Sequence, residues 1–280
     1  MRCNLLTRFS MAGAALGLAL GLGAPSESLA APLPFTWDPS ATGNSTVGAF
    51  TADHFGLNDF AAITVPANPA PIGSVTETGF LLPTTFFLGG TQTAFANIKG
   101  GWGIYEAFTA TSHLTPCTGG LCGVFDTITA NVYVYSTAKG VASVNFPGTV
   151  PTIHLPALAH SVLIGTESGP ISGSPNLVNI VSGVPSASVD VLFTQNPAES
   201  EFFVKPAATM ILDLDQAFIN TPGVITTVPS TCKNTGALPC KFEIHSGGGN
   251  GNFLLVPEPA TLGIFGFGLT LLGIARRRRV

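Results

Sequence analysis

The sequence predicts an all-β protein: an antiparallel β-sandwich, jelly-roll-like, with long loops. Three observations predict it. Short runs rich in β-branched and aromatic residues recur along the chain, separated by Gly, Pro, Asn and Ser. The 33 glycines and 22 prolines are too frequent for long helices, whose interiors both residues destabilise. Strict alternation runs over residues 127–135: Ile128, Ala130, Val132 and Val134 fall on one face, and Thr129, Asn131, Tyr133 and Tyr135 on the other.

The elements follow in order. Arg2 and Arg8 form a basic region ahead of the apolar stretch 11–24, and Ser28-Leu29-Ala30 offers the small residues that signal peptidase reads. Residues 1–30 are therefore expected to be a signal peptide cut before Ala31. The mature β-domain is expected over 31–246, long enough for one core. Its first strand candidates are 49–55, then the apolar run 61–65. Residues 75–82 alternate Thr and Glu with apolar groups, and 85–88 resume beyond Pro83. Residues 102–111 carry Trp102, Ile104, Tyr105 and Phe108 between glycines and threonines. After 127–135 come 161–166, 188–194, 201–204, 209–214 and 241–245, each β-branched or aromatic and bounded by turn residues. Residues 213–220 also fit a short helical turn. The run Gly247-Gly248-Gly249-Asn250-Gly251 reads as a flexible spacer over 247–255. The sequence shows no repeat of fixed period.

Charge narrows the partners. All six arginines lie in the two terminal segments, and the region between keeps five lysines against thirteen acids, a net charge of −8. A region with no guanidinium has no fork for phosphates or base edges, so no nucleic acid is expected as a partner. Cys117, Cys122, Cys232 and Cys240 remain after signal cleavage, and an even count in an exported chain reads as disulfides. Of three possible pairings the local one, Cys117–Cys122 with Cys232–Cys240, is favoured because each pair flanks turn residues. The spacings do not suit a zinc ribbon.

No catalytic constellation is legible. The five histidines are scattered, and neither a nucleophile elbow, a zinc-protease helix nor a phosphate loop occurs. No catalytic residue, metal ligand or cofactor is assigned. Asp213 and Asp215 would share one strand face, which suits a Ca²⁺ pair or a solvated edge. Glu77, Glu106 and Glu167 would form an acid/base pair only if the fold gathers them. Aromatic residues on strands suggest sugar stacking as an alternative to core packing. Tyr133 and Tyr135 on the polar face of their strand are the leading candidates, with Trp102 beside them.

The C-terminus, residues 256–280, has three parts. Pro257-Glu258-Pro259 breaks the chain, an apolar run follows to Ala275, and Arg276-Arg277-Arg278-Arg279 closes it before Val280. The arginines are costly to move through hydrocarbon and stay cytoplasmic. The 16 residues from Ala260 to Ala275 reach roughly 24 Å as a helix, short against a core of about 30 Å. One short transmembrane helix is thus expected in the precursor, as a handle held briefly in the inner membrane. This tail resembles the PEP-CTERM sorting signal of Gram-negative bacteria. The resemblance implies recognition by an exosortase-type transpeptidase, cleavage near the tripeptide, and delivery to the cell surface or exopolysaccharide matrix.

A second resemblance rests on Phe35-Thr36-Trp37-Asp38-Pro39-Ser40, Phe50-Thr51-Ala52-Asp53 and Thr76-Glu77-Thr78-Gly79-Phe80-Leu81. These look like the flocculation-associated group of PEP-CTERM proteins, which implies a non-enzymatic part in cell aggregation, flocculation or biofilm, through exopolysaccharide. Two other functions remain open: a carbohydrate-binding module with a defined sugar site, and a matrix glycosidase with two facing carboxylates.

Overall fold

A computed structural model describes residues 32–255, apart from 44, 46, 99–100, 148–149, 156–159, 173–175, 182–183, 206–208, 217–224 and 229–237. The signal peptide and the C-terminal sorting segment lie outside the described residues, as does Cys232. Among the described residues no helix is long and apolar enough to cross a membrane. The expected span 260–275 is not among them.

The described chain is almost entirely antiparallel β-structure. Its strands are β1 (Phe35–Trp37), β2 (Phe50–Ala52), β3 (His54–Val65), β4 (Val75–Leu88), β5 (Thr91–Phe95), β6 (Trp102–Cys117), β7 (Gly120–Ser136) and β8 (Ser143–Asn145). They continue with β9 (Thr152–His154), β10 (Ser161–Gly169), β11 (Asn176–Val181), β12 (Val184–Gln195), β13 (Phe203–Lys205), β14 (Thr209–Gln216), β15 (Ile225–Val228) and β16 (Cys240–Leu254). Two short 3₁₀ turns, Pro39–Thr42 and Pro197–Phe202, link them.

Pairing closes the main sheet on itself. The order β3-β4-β6-β7-β10-β12-β14-β16 returns to β3, with every neighbour antiparallel. The facing walls of the expected sandwich exist, because Glu77 and Glu106 look across at Val189 and Leu214 around one cavity. The walls are joined at both edges, however. The connectivity is an up-and-down meander, not the Greek key of a jelly roll: each strand of the ring pairs with the next strand of the ring in the sequence. Closure removes the unpaired sheet edges that invite aggregation.

Alternation decides which side chains enter the barrel. On β6, Trp102, Ile104, Glu106, Phe108 and Ala110 are all buried, while Thr109 between them is exposed. On β3 the inward set is Phe55, Leu57, Asp59, Ala61 and Ile63. One end is filled by aromatic rings. Trp37 of β1 packs against Phe86 at 5.7 Å, Phe202 at 5.4 Å and Phe253 at 5.9 Å, so the small sheet β2-β1-β13 plugs the barrel mouth. The contacts with Phe86 and Phe253 are edge-on, at 67° and 66°, and such contacts add to the burial of their area.

The hairpin β8-β9 lies outside the ring. Together with Ala142 and Leu155 it covers Leu82, Tyr105, Tyr135, Phe60, Phe80 and Tyr133, a second apolar cluster on the outer wall. Cys117 and Cys122 are bridged across the turn between β6 and β7, with Cα atoms 5.8 Å apart.

Three local expectations are corrected. The run Gly247 to Gly251 is not a spacer but the middle of β16, paired to β3 along its length. Its glycines leave room for large inward neighbours: a Cβ on Gly251 would sit 2.4 Å from the Phe55 ring. Residues 75–82 and 85–88 are one strand, because Pro83 sits beside the bulge between Gly56 and Leu57, and no β6 pairing is needed beyond Leu81. Residues 213–216 continue strand β14, as the strand expected over 209–214 implies, in place of the alternative helical turn, whose residues 217–220 lie outside the described residues.

Candidate functional site

Two places gather functional side chains: the outer wall over β4, β6 and β7, and the barrel lumen.

On the outer wall the strand register lines up small polar groups. Thr78 of β4, Thr109 of β6 and Thr129 of β7 form one row; Phe80, Ala107 and Asn131 form the next. Thr109 and Thr129 hydroxyls meet at 3.0 Å, and Thr111 and Thr127 at 2.7 Å. Thr78, Phe80, Ala107, Thr109, Thr129 and Asn131 line a groove of about 310 Å³. The next row up holds Tyr105 and Tyr133, rings stacked at 5.0 Å and 18°. Phe80 and Tyr133 are half-buried under the β8-β9 hairpin, which bounds the groove on that side. None of these side chains is charged. A wall of hydroxyls and an amide, edged by flat rings, suits a neutral, hydroxyl-rich ligand.

The expected sugar contacts divide. Tyr133, half-buried, lies one row beyond the residues that line the groove. Tyr135 and Trp102 are corrected to structural residues, both 0 % exposed. Tyr135 lies flat over Gly103, where a Cβ would be 2.1 Å from its ring. Its hydroxyl donates to Asn97 Oδ1 at 2.7 Å and accepts from the Ala142 N–H at 2.9 Å. Burial pushes its phenol up to about 12. Trp102 faces inward and packs on Phe86 at 5.6 Å and Phe50 at 5.7 Å. Strand alternation alone put Tyr135 outside; the covering hairpin, a long-range event, buries it.

The lumen holds the other cluster. Glu77, Glu106 and Glu167 are brought together, and sequence reading missed a fourth member, Asp59. Its signal was its register with Phe55, Leu57, Ala61 and Ile63. Asp59, Glu106 and Glu167 are 0 %, 6 % and 4 % exposed. Glu77 retains surface where it lines a cavity of about 30 Å³ with Leu81, Phe108, Ile128 and Val189. Such a space admits a water or two, not a sugar. Glu106 and Glu167 are hydrogen-bonded to each other. Both oxygens of Asp59, and Oε2 of Glu167, have no hydrogen-bond partner.

Burial in this apolar interior drives all four carboxyls upward. Glu77 is raised to about 7 and Glu167 to about 8. Glu106 is raised by burial and then by the charge and hydrogen bond of Glu167. Asp59 is raised well above the usual range by burial, then by Glu77 and Glu106. The cavity that Glu77 and Glu106 line, about 30 Å³, is too small for a sugar ring.

Other expected sites fall elsewhere. Asp213 accepts from Asn252 Nδ2 at 3.2 Å. Among the described residues no three His, Cys, Asp or Glu side chains are placed to hold a metal ion. Cys240 is buried at the start of β16. Pro257, Glu258, Pro259 and Arg276 to Arg279 lie outside the described residues.

Comparison with known proteins bears on that tail. The PEP-CTERM protein-sorting motif matches residues 255–279. The chain thus carries the sorting signal, which implies export through an exosortase-type system to the cell surface of a Gram-negative bacterium. No curated protein and no solved structure matches the chain.

Proposed function

We propose that the mature barrel is a non-enzymatic adhesive of the extracellular matrix, acting in exopolysaccharide-linked aggregation such as flocculation or biofilm. Signal peptidase and the exosortase-type transpeptidase process it at its two ends, and the C-terminal apolar segment holds it in the inner membrane only until the second cut. The observation that carries this reading is the uncharged groove on the outer wall. An acidic region of net charge −8 presents there a groove of Thr78, Thr109, Thr129 and Asn131, with Phe80 and Tyr133 at its edge. Aliphatic hydroxyls and an amide hydrogen-bond sugar hydroxyls, and rings cover the apolar faces of pyranoses. Each contact is weak, and many copies in one matrix raise avidity through effective concentration.

The polymer contacted this way is neutral, since an acidic one would need a bridging cation between two negative surfaces. Co-sedimentation of purified protein with the producing cell's own polymer tests the reading. Tyr133→Ala combined with Asn131→Ala should lower the bound fraction several-fold, while chelator leaves binding of the unmodified protein unchanged. Binding that ignores both substitutions would remove the groove from the account, and binding lost to chelator would replace the neutral polymer with a cation-bridged one.

A further inference from the structure

The lumen carboxyls have no part in the adhesive reading and call for their own account. Four acids enter one closed interior from four strands: Asp59 on β3, Glu77 on β4, Glu106 on β6 and Glu167 on β10. Register sets three of them close together, and Glu77, four residues along β4 from Leu81, joins Glu106 in lining one cavity. Asp59 and Glu106 each pair with Leu81, and Glu167 pairs with Ala130 one inward step from Val132, the partner of Glu106.

The walls packed against them bring no counter-charge. β7 presents Ile128, Ala130 and Val132; β12 presents Val189, Val191 and Phe193; β14 presents Leu212 and Leu214. β16 presents glycines opposite Leu57 and Asp59. The described lysines, Lys139, Lys205 and Lys241, are exposed. The histidine rings with described ion pairs meet other acids: His54 meets Asp53, His113 meets Asp126 and His245 meets Glu243. A buried carboxylate with no partner is far costlier than a buried carboxylic acid.

We propose that this row of lumen acids is a proton-operated lock on the barrel: the shell stays closed while the row keeps its protons and loosens when the row is forced to ionise. The protonated state has a built partnership, the Glu106–Glu167 hydrogen bond, in which one carboxyl must donate. The ionised state has none, and Asp59 with two unpartnered oxygens would stand beside two further negative charges.

The sign follows from linkage. A carboxyl raised in the folded state binds protons there that the unfolded chain has released. Stability is therefore full in acid and is lost as pH rises through the folded values, about 7 for Glu77 and about 8 for Glu167. Most exposed acids in a folded protein act in the opposite direction. An adhesive so built holds its shape in an acidified matrix and weakens in an alkaline one.

The test is thermal unfolding of the purified protein, with the infrared band of protonated carboxyl recorded on the folded state. The melting temperature should fall between pH 5 and pH 9 by on the order of 10 °C. Glu106→Gln with Glu167→Gln, which keeps a hydrogen-bonded pair but cannot ionise, should reduce that fall by about half, leaving the share of Asp59 and Glu77. A carboxylic-acid band should persist at pH 6.5, where ordinary acids are ionised. A melting temperature that is flat or rises with pH overturns the proposal, as does a pH dependence that the double variant retains in full. If the double variant does not fold, the band decides on the unmodified protein: its presence supports the lock and its absence overturns it.

Discussion

Asn97 and Tyr135 show how single residues tie the outer wall together. Asn97 adopts a left-handed backbone, φ 57°, and its amide bridges Pro83 O and Ile104 O at 2.7 Å each. Its Oδ1 receives the Tyr135 hydroxyl, which in turn receives the Ala142 N–H that leads into the covering hairpin. Asn is among the few residues that tolerate this backbone region. Removing the hydroxyl leaves a buried amide N–H and one acceptor without it. Tyr135→Phe should therefore cost about 1–3 kcal/mol in urea unfolding. A change below about 0.5 kcal/mol, the usual range of surface substitutions, would mean that the hub is not structural. Sugar binding should be unaffected in the folded variant, since Tyr135 is out of reach of a polymer.

At the scale of elements, strand β16 makes the sharpest case. Glycine-rich runs usually weaken strands, yet here Gly247, Gly249 and Gly251 face Asp59, Leu57 and Phe55 of β3. Gly251→Val should destabilise the barrel by roughly 1–3 kcal/mol or more, because its side chain would enter the Phe55 ring. Gly48, with open space where a Cβ would stand, should accept Ala with a change within about 0.5 kcal/mol. Equal effects at both positions would contradict the packing described for β16. The hairpin β6-β7 offers a second check: reducing Cys117–Cys122 should cost about 2–3 kcal/mol on the chain-entropy view of a small loop.

The same elements show what was legible beforehand. The alternation of residues 127–135 read directly as a strand because one face is apolar and the other polar. The glycine run and Pro83 misled, since local rules treat both residues as breaks, and only a neighbouring strand reveals the space or bulge that admits them. The lumen acids were visible as residues but not as a group. Their meeting depends on the registers Asp59–Leu81–Glu106 and Ala130–Glu167, set by pairings between strands distant in sequence. Tyr133 and Tyr135 looked alike two positions apart, and the hairpin over the outer wall separates them.

The whole molecule has three regions: a sorting tail, a closed shell, and an uncharged groove on that shell. The tail acts through its own chemistry. Pro257→Ala with Glu258→Ala should leave an uncleaved, membrane-held form of higher mass than the released protein; release at unchanged mass would mean that the tripeptide does not direct processing. The central claim is that the shell holds polymer without cutting it. It is tested most directly by incubating purified protein with the cell's own exopolysaccharide and reading bound polymer and new reducing ends from the same tube. The account predicts polymer carried down with the protein and no rise in reducing ends with time. Reducing ends that accumulate with the unmodified protein, and cease to do so with Glu77→Gln, Glu106→Gln, Glu167→Gln or Asp213→Asn, would contradict it and make the barrel a glycosidase.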